Sequence, residues 1–136
     1  MKRPVTFLPD TNAIVRYLVR DDPKRANEAQ ALLDQVRQGN AKAILLESVV
    51  AECMYVLTKI YKVPKDQAAG SLIDLLHYRG IANEDRQELI SALELYAERS
   101  IDIVDCMLLA KATAAGNQLF TFDAALNKLM RGSRKC

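Results

Sequence analysis

The chain is poor in the residues that build disulfide frameworks and zinc sites. It has three cysteines, Cys53, Cys106 and Cys136, and a single histidine, His77. The cysteine number is odd and none forms the close pairs used by zinc sites and redox motifs, so a zinc centre is disfavoured and a reducing, cytoplasmic setting is expected. Long apolar runs are missing as well. After Lys2 and Arg3 the sequence reads PVTFLPD, too short for the apolar region of a secretory signal. No later run approaches the ~18 apolar residues of a membrane span. Charge of one sign is not in excess: 19 basic and 17 acidic residues leave a formal +2. Any nucleic-acid surface must therefore be local. Glycine-rich phosphate-cradling loops, internal repeats, low-complexity tracts and long linkers are also lacking. What the chain does have is apolar content, 50% of 136 residues, enough for one compact domain over 1–136.

The pattern along the chain alternates strands with helices. Val5 to Leu8 reads as a short buried strand, followed by a helix through Tyr17 and a turn at RDDP. There Asp22 caps a helix that opens with Pro23 and ends near Gln38, before Gly39. AKAILL is a second buried strand, and Ser48 is the expected cap of the next helix. Val49, Cys53, Val56, Leu57 and Ile60 then form a core-facing stripe. After Pro64 come a helix over Lys65 to Leu76, a very short strand at Gly80-Ile81-Ala82, and a charged helix whose inner face carries Leu89, Leu93 and Tyr96. IVDCMLLAKATAAG is apolar almost all round, which predicts a buried helix ending at Gly116. QLFTF reads as the last strand and Asp123 as the start of the last helix. Such alternation predicts an α/β domain with a parallel sheet covered on both faces.

Five acids stand where a buried frame has little need of them. Asp10 and Asp123 follow strands, Glu52 lies in the helix after the second strand, and Asp102 with Asp105 opens the buried helix. Ligand sites of open α/β sheets form beyond the carboxyl ends of the strands. Asp10, Asp123 and Asp102 also suit helix caps. Glu52 falls about 80° from the apolar stripe, at the border of the core, where it needs a partner. Converging carboxylates raise one another's pKa unless a cation neutralises them. Magnesium or manganese, with oxygen ligands and few protein carboxylates, is the simple solution.

VTFLPDTNAIVRYLVRDD, SVVAECMYVLTKIYKV and DIVDCMLLAKATAAGNQLFTFD, in this order, resemble a PIN-domain ribonuclease of the VapC toxin type, and the resemblance covers nearly the whole chain. It implies a three-layer α/β/α fold with a mainly parallel central sheet and an acidic endoribonuclease site dependent on Mg2+ or Mn2+. Asp10, Glu52 and Asp105 match the family's central acids and Asp123 its more variable fourth acid. Asp102 either joins them or caps the helix. Asn12 either orients a carboxylate or is an ordinary first-turn asparagine, and Thr11 and Thr121 are candidate supports. Two positions depart from the family pattern. Pro9 precedes the aspartate and should end ladder pairing there, and Glu47 adds an acid that faces either the pocket or, by preference, solvent.

The implied chemistry is hydrolysis of RNA to 5′-phosphate and 3′-hydroxyl ends, with one or two metal ions held by the central acids. Arg16, Arg20, Lys24, Arg25, Lys128, Arg131, Arg134 and Lys135 are candidate phosphate contacts. Tyr55, Tyr61 and Tyr78 serve either to stack bases or to pack. Met54 and Tyr55, read as off the core stripe, suit a homodimer or a small cognate antitoxin, the partner such toxins usually have. An RNA-binding scaffold without catalysis is the competing expectation. An aspartyl-phosphate transferase fits less well, because DTN has no second acid close by.

Overall fold

The computed structural model describes residues 5–134. Lys2, Arg3, Lys135, Cys136 and the side chain of Arg134 lie outside the described residues. The elements run β1 (Thr6–Phe7), α1 (Thr11–Val19), α2 (Pro23–Gln38), β2 (Lys42–Ala43), α3 (Glu47–Tyr55), a π-helical turn (Val56–Ile60), α4 (Lys65–Leu76), α5 (Arg86–Glu98), α6 (Ile103–Ala115) and α7 (Ala124–Arg134).

The sheet is parallel, as alternation requires, and small. β1 pairs with β2 in the register Thr6 to Lys42 and Phe7 to Ala43, and Ala43 bridges to Ile81 on its other side, also in parallel. The fold is thus α/β, with helices packed around a small parallel sheet. Pro9 is buried, and pairing ends before it with the bond from Ile44 N to Phe7 O at 3.0 Å. Where the short Gly80–Ala82 run lies against Ala43, a Cβ on Gly80 would collide with Ala41 O and would stand 2.8 Å from Val36 O. Only glycine permits that approach.

Two strand expectations are corrected. β1 is exposed rather than buried, and Val5, Phe7 and Leu8 all face solvent. QLFTF forms no strand: Phe120 is 87% and Phe122 94% exposed, packed edge to face with ring centroids 5.6 Å apart. Its alternation suits a strand, but among the described residues no ladder reaches it, so its backbone lacks the pairing that makes a strand.

The helices follow their local signals closely. Asp22 caps α2 by accepting from Arg25 N at 3.3 Å, Pro23 occupies the first position, and Gly39 leaves in the left-handed region at φ 86°. Gly116 does the same for α6 at φ 68°. Leu89, Leu93 and Tyr96 are buried on α5 as read. α6 is not buried all round, since Val104 and Leu108, one turn apart, are exposed.

The stripe on α3 is also corrected. The buried residues are Val50, Cys53, Met54 and Leu57, while Val49 is half-buried and Ile60 is 64% exposed. The cause is the π-helical turn, closed by Tyr61 N to Val56 O at 3.1 Å. A five-residue bond spacing inserts a residue and rotates everything after it away from the α-helical extrapolation. Ser48 does not cap α3; Leu46 occupies that position without a side-chain bond. The main core gathers α1, α3, α4 and α5 around Ile14, Leu45, Met54, Leu72 and Leu93, with a smaller cluster of Leu109, Ala112, Leu126 and Met130 joining α6 to α7.

Candidate active site

α6 begins with Asp102 at its cap position and Asp105 in its first turn. The Asp102 carboxylate makes no capping bond. Among the described residues neither side chain has a hydrogen bond or ion-pair partner, so both keep their oxygen lone pairs free. Both line a cavity of about 570 Å³, together with Asp123, Thr58, Lys59, Lys65, Tyr96 and Ser100. Asp102 therefore stands with Asp105 and Asp123, although its cap position in the sequence gave it a second explanation.

Asp123 has a double role. Its Oδ1 accepts from Ala125 N at 2.8 Å and Leu126 N at 3.1 Å, which caps α7 while leaving Oδ2 for the cavity it lines. Thr121 supports it, its hydroxyl accepting from Asp123 N at 3.1 Å and its carbonyl from Asn127 Nδ2 at 3.0 Å.

Asp10 is likewise a cap, accepting from Ala13 N at 2.8 Å. It lines a different cleft of about 320 Å³, with Asn12, Arg16, Arg25 and Glu28. Glu52 is exposed. Relative to the observed stripe it lies about 150° away at ~100° per residue, nearly opposite the core instead of at its border. Asp10 and Glu52 nevertheless act on one group. Burial first, then the charges of Glu52 and Asp10, push the Cys53 thiol up to about 12 against a hydrogen bond with Thr11. Cys106 reports the other acids in the same way. Burial raises its thiol to about 11, Lys65 pulls it down, and Asp105 and Asp102 push it up. Glu52 and Asp105 each directly precede a buried cysteine, on helices α3 and α6 that pack together, while Asp10 and Asp123 cap α1 and α7.

Among the described residues no three of His, Cys, Asp and Glu close on a point that would hold a metal ion. The donor chemistry still fits magnesium or manganese. Every candidate ligand is a carboxylate, and such ions commonly use one or two of these with water and substrate oxygens. His77 is exposed, its Nδ1 3.0 Å from Ile73 O.

The expected phosphate contacts divide. Arg16 is held by Asp21 at 2.8 Å and by the Tyr61 hydroxyl at 3.3 Å, and Arg25 stands 3.6 Å from Asp22. Arg20 donates to Gln30 and Asn27. Lys24 and Arg131 are exposed, and Lys128 lines a neighbouring cavity with Arg99 and Ser100. Of the tyrosines, Tyr61 donates to Asp21 and Tyr78 bonds to Tyr17, leaving Tyr55, 61% exposed, as the accessible ring. Met54 is fully buried, which removes it from any partner surface. Glu47 is paired with Lys111 at 3.7 Å. Sequence reasoning passed over Lys59 and Lys65: Lys59 stands in a π-helical turn that α-helical periodicity does not reveal, and Lys65, the first residue of α4, carries no local signal of its place beside the acids.

Parallel strands, packed helices and three carboxylates lining one cavity make this an α/β domain with an acidic cavity beside the start of α6. The chain belongs to the PIN-domain family, with a match over residues 7–131. PIN domains are typically nucleases acting on RNA, and they usually bind divalent metals. No curated protein and no solved structure matches the chain significantly. No helix among the described residues is long and apolar enough to cross a membrane.

Proposed function

We propose that this chain works as a single PIN-like unit, a divalent-metal-dependent endoribonuclease of the VapC toxin type, acting in the cytoplasm on RNA and silenced by a small cognate antitoxin. The observation that carries the reading is the pair of uncommitted carboxylates, Asp102 and Asp105, lining one cavity with Asp123. A structural acid on a helix start would spend its oxygens on backbone N–H groups, as Asp22 does. Oxygens left free beside two lysines are available to a hard cation and to the substrate it accompanies.

Asp105 and Asp102 would hold Mg2+ or Mn2+, with Asp123 adding its free oxygen and Asp10 and Glu52 supplying the second pair of carboxylates. When bound, the metal supplies Lewis-acid polarisation of the scissile phosphate and offsets charge on the leaving oxygen. The protein's part is to fix the carboxylates on helix starts, whose caps hold Asp10 and Asp123 in place before substrate arrives. Tyr55 and Ile60, both exposed on neighbouring turns, support a homodimer or antitoxin surface there.

The test is cleavage of RNA by purified, antitoxin-free protein under manganese titration. Asp105→Asn is expected to lower the rate roughly 100-fold or more, the usual cost of removing a preorganised electrostatic group. Full activity in that variant would refute the assignment. A scaffold without catalysis is favoured by one observation, the absence of a closed three-ligand grouping among the described residues. RNA binding without divalent-dependent turnover in the wild type would establish that second reading.

A further inference from the structure

An acid-lined cavity repels the polyanion it is meant to cut, so the same cavity needs fixed positive charge where the backbone enters. Among the described residues, Lys59 and Lys65 are the two cations that line it. Their situations differ. Lys65 is committed: its Nζ donates to Arg99 O at 2.6 Å and sits 4.5 Å from the centroid of the Tyr96 ring. That clamp fixes a charge close enough to the acids to be felt at Cys106 together with Asp105 and Asp102. Lys59 is exposed and has no hydrogen-bond or ion-pair partner among the described residues.

The backbone explains how Lys59 comes to stand there. α3 passes directly into the π-helical turn at Val56, and the Thr58 hydroxyl bonds back to Met54 O at 2.7 Å. The wider turn carries Thr58 and Lys59 to the cavity edge while turning Ile60 out to solvent. Isolated π turns inside helices concentrate at functional positions, where they re-aim a side chain at a local cost in hydrogen-bond geometry. By contrast, Arg16 and Arg25 lie in the Asp10 cleft and are already matched with Asp21 and Asp22.

We propose that Lys59, aimed by the π-helical turn, is the residue of the acid-lined cavity that contacts the RNA phosphate, with Lys65 as a fixed neighbouring charge. The assignment rests on the nuclease reading for its substrate class. It reads backbone and not base: Tyr96, the aromatic of this cavity, is buried under Lys65 and has no open face for stacking. Sequence preference must therefore be set by other contacts.

The experiment measures binding of a fluorescein-labelled, mixed-sequence single-stranded RNA by anisotropy across a potassium chloride series, in EDTA so that no cleavage occurs. Lys59→Ala is expected to bind several-fold more weakly at low salt, with a slope of log K against log salt smaller by ~0.7, one single-strand phosphate contact. Lys59→Arg should restore both, and Lys42→Ala, at the exposed residue of β2 and outside the cavity lining, should leave both unchanged. In a manganese cleavage assay Lys59→Ala should raise KM more than it lowers kcat. Wild-type affinity and slope in Lys59→Ala would overturn the proposal even if the wild type cleaves RNA. A wild type that binds through Lys59 but does not cleave would instead remove the nuclease reading and leave the contact standing.

Discussion

Asp123 shows how one side chain serves two purposes, and substitution separates them. Its Oδ1 caps α7 through Ala125 and Leu126, so Asp123→Ala should cost about 1 kcal/mol of stability along with activity. Asparagine caps nearly as well as aspartate but carries no charge. Asp123→Asn should therefore unfold in urea within a few tenths of a kcal/mol of the wild type while losing RNA cleavage, and retained cleavage would reduce Asp123 to a cap. The same logic applies to Asp10, whose carboxylate accepts from Ala13 N. Both were legible in the sequence as caps, because caps have local signatures, whereas the strand expected before Asp123 does not form. Asp102 was not separable from a cap, since an aspartate three residues before another acid reads the same whether or not it bonds the backbone. The free state of its carboxylate is a tertiary fact.

The helices were legible almost to their ends because caps, prolines and glycines are local. The π-helical turn was not, because nothing in VLTKI distinguishes a five-residue bond spacing from the four-residue one of an ordinary helix. The strands were legible in sense but not in extent, since pairing is a property of two segments. One segment illustrates this well. Asn83, beyond the bridge at Ile81, substitutes for a strand partner: Leu45 N donates to its Oδ1 at 2.8 Å and its Nδ2 donates to Leu45 O at 2.8 Å. Leu45 is fully buried. Asn83→Ala would strand both backbone groups, and roughly 2 kcal/mol of stability should be lost in urea unfolding. A loss under ~0.5 kcal/mol, the size of an ordinary surface substitution, would show that water replaces the amide. The neighbouring Asp85 gives the pH counterpart. Burial alone would raise its carboxyl, but hydrogen bonds from Asn83 and Lys111 and the charge of Lys111 outweigh this and hold it below the usual range. A depressed carboxylate contributes stability that is present above its unfolded pKa of about 4 and lost as pH falls through the lower folded value. Asp85→Asn should therefore be less stable than the wild type above about pH 4 and lose less stability on acidification below it, as read by urea unfolding followed by circular dichroism.

The acids come from α1, α3, α6 and the approach to α7, so a bound cation would tie together segments far apart in sequence. Anything that binds the native state and not the unfolded chain raises its stability by mass action. At a hundredfold excess over its Kd, one ion contributes about 2.7 kcal/mol, on the order of 10 °C in Tm for a chain of this length. Manganese titrated against thermal unfolding is therefore a readout independent of RNA and of turnover. The wild type should rise with saturation. Asp105→Asn and Asp102→Asn should each lose most of that rise while keeping the metal-free Tm, because neither carboxylate holds a backbone bond or an ion pair among the described residues. Asp22→Asn should keep the full rise, since Asp22 is spent on the start of α2 and on Arg25. If both α6 variants respond to manganese as the wild type does, the ion is held elsewhere, and the cavity beside Lys59 is not the metal centre.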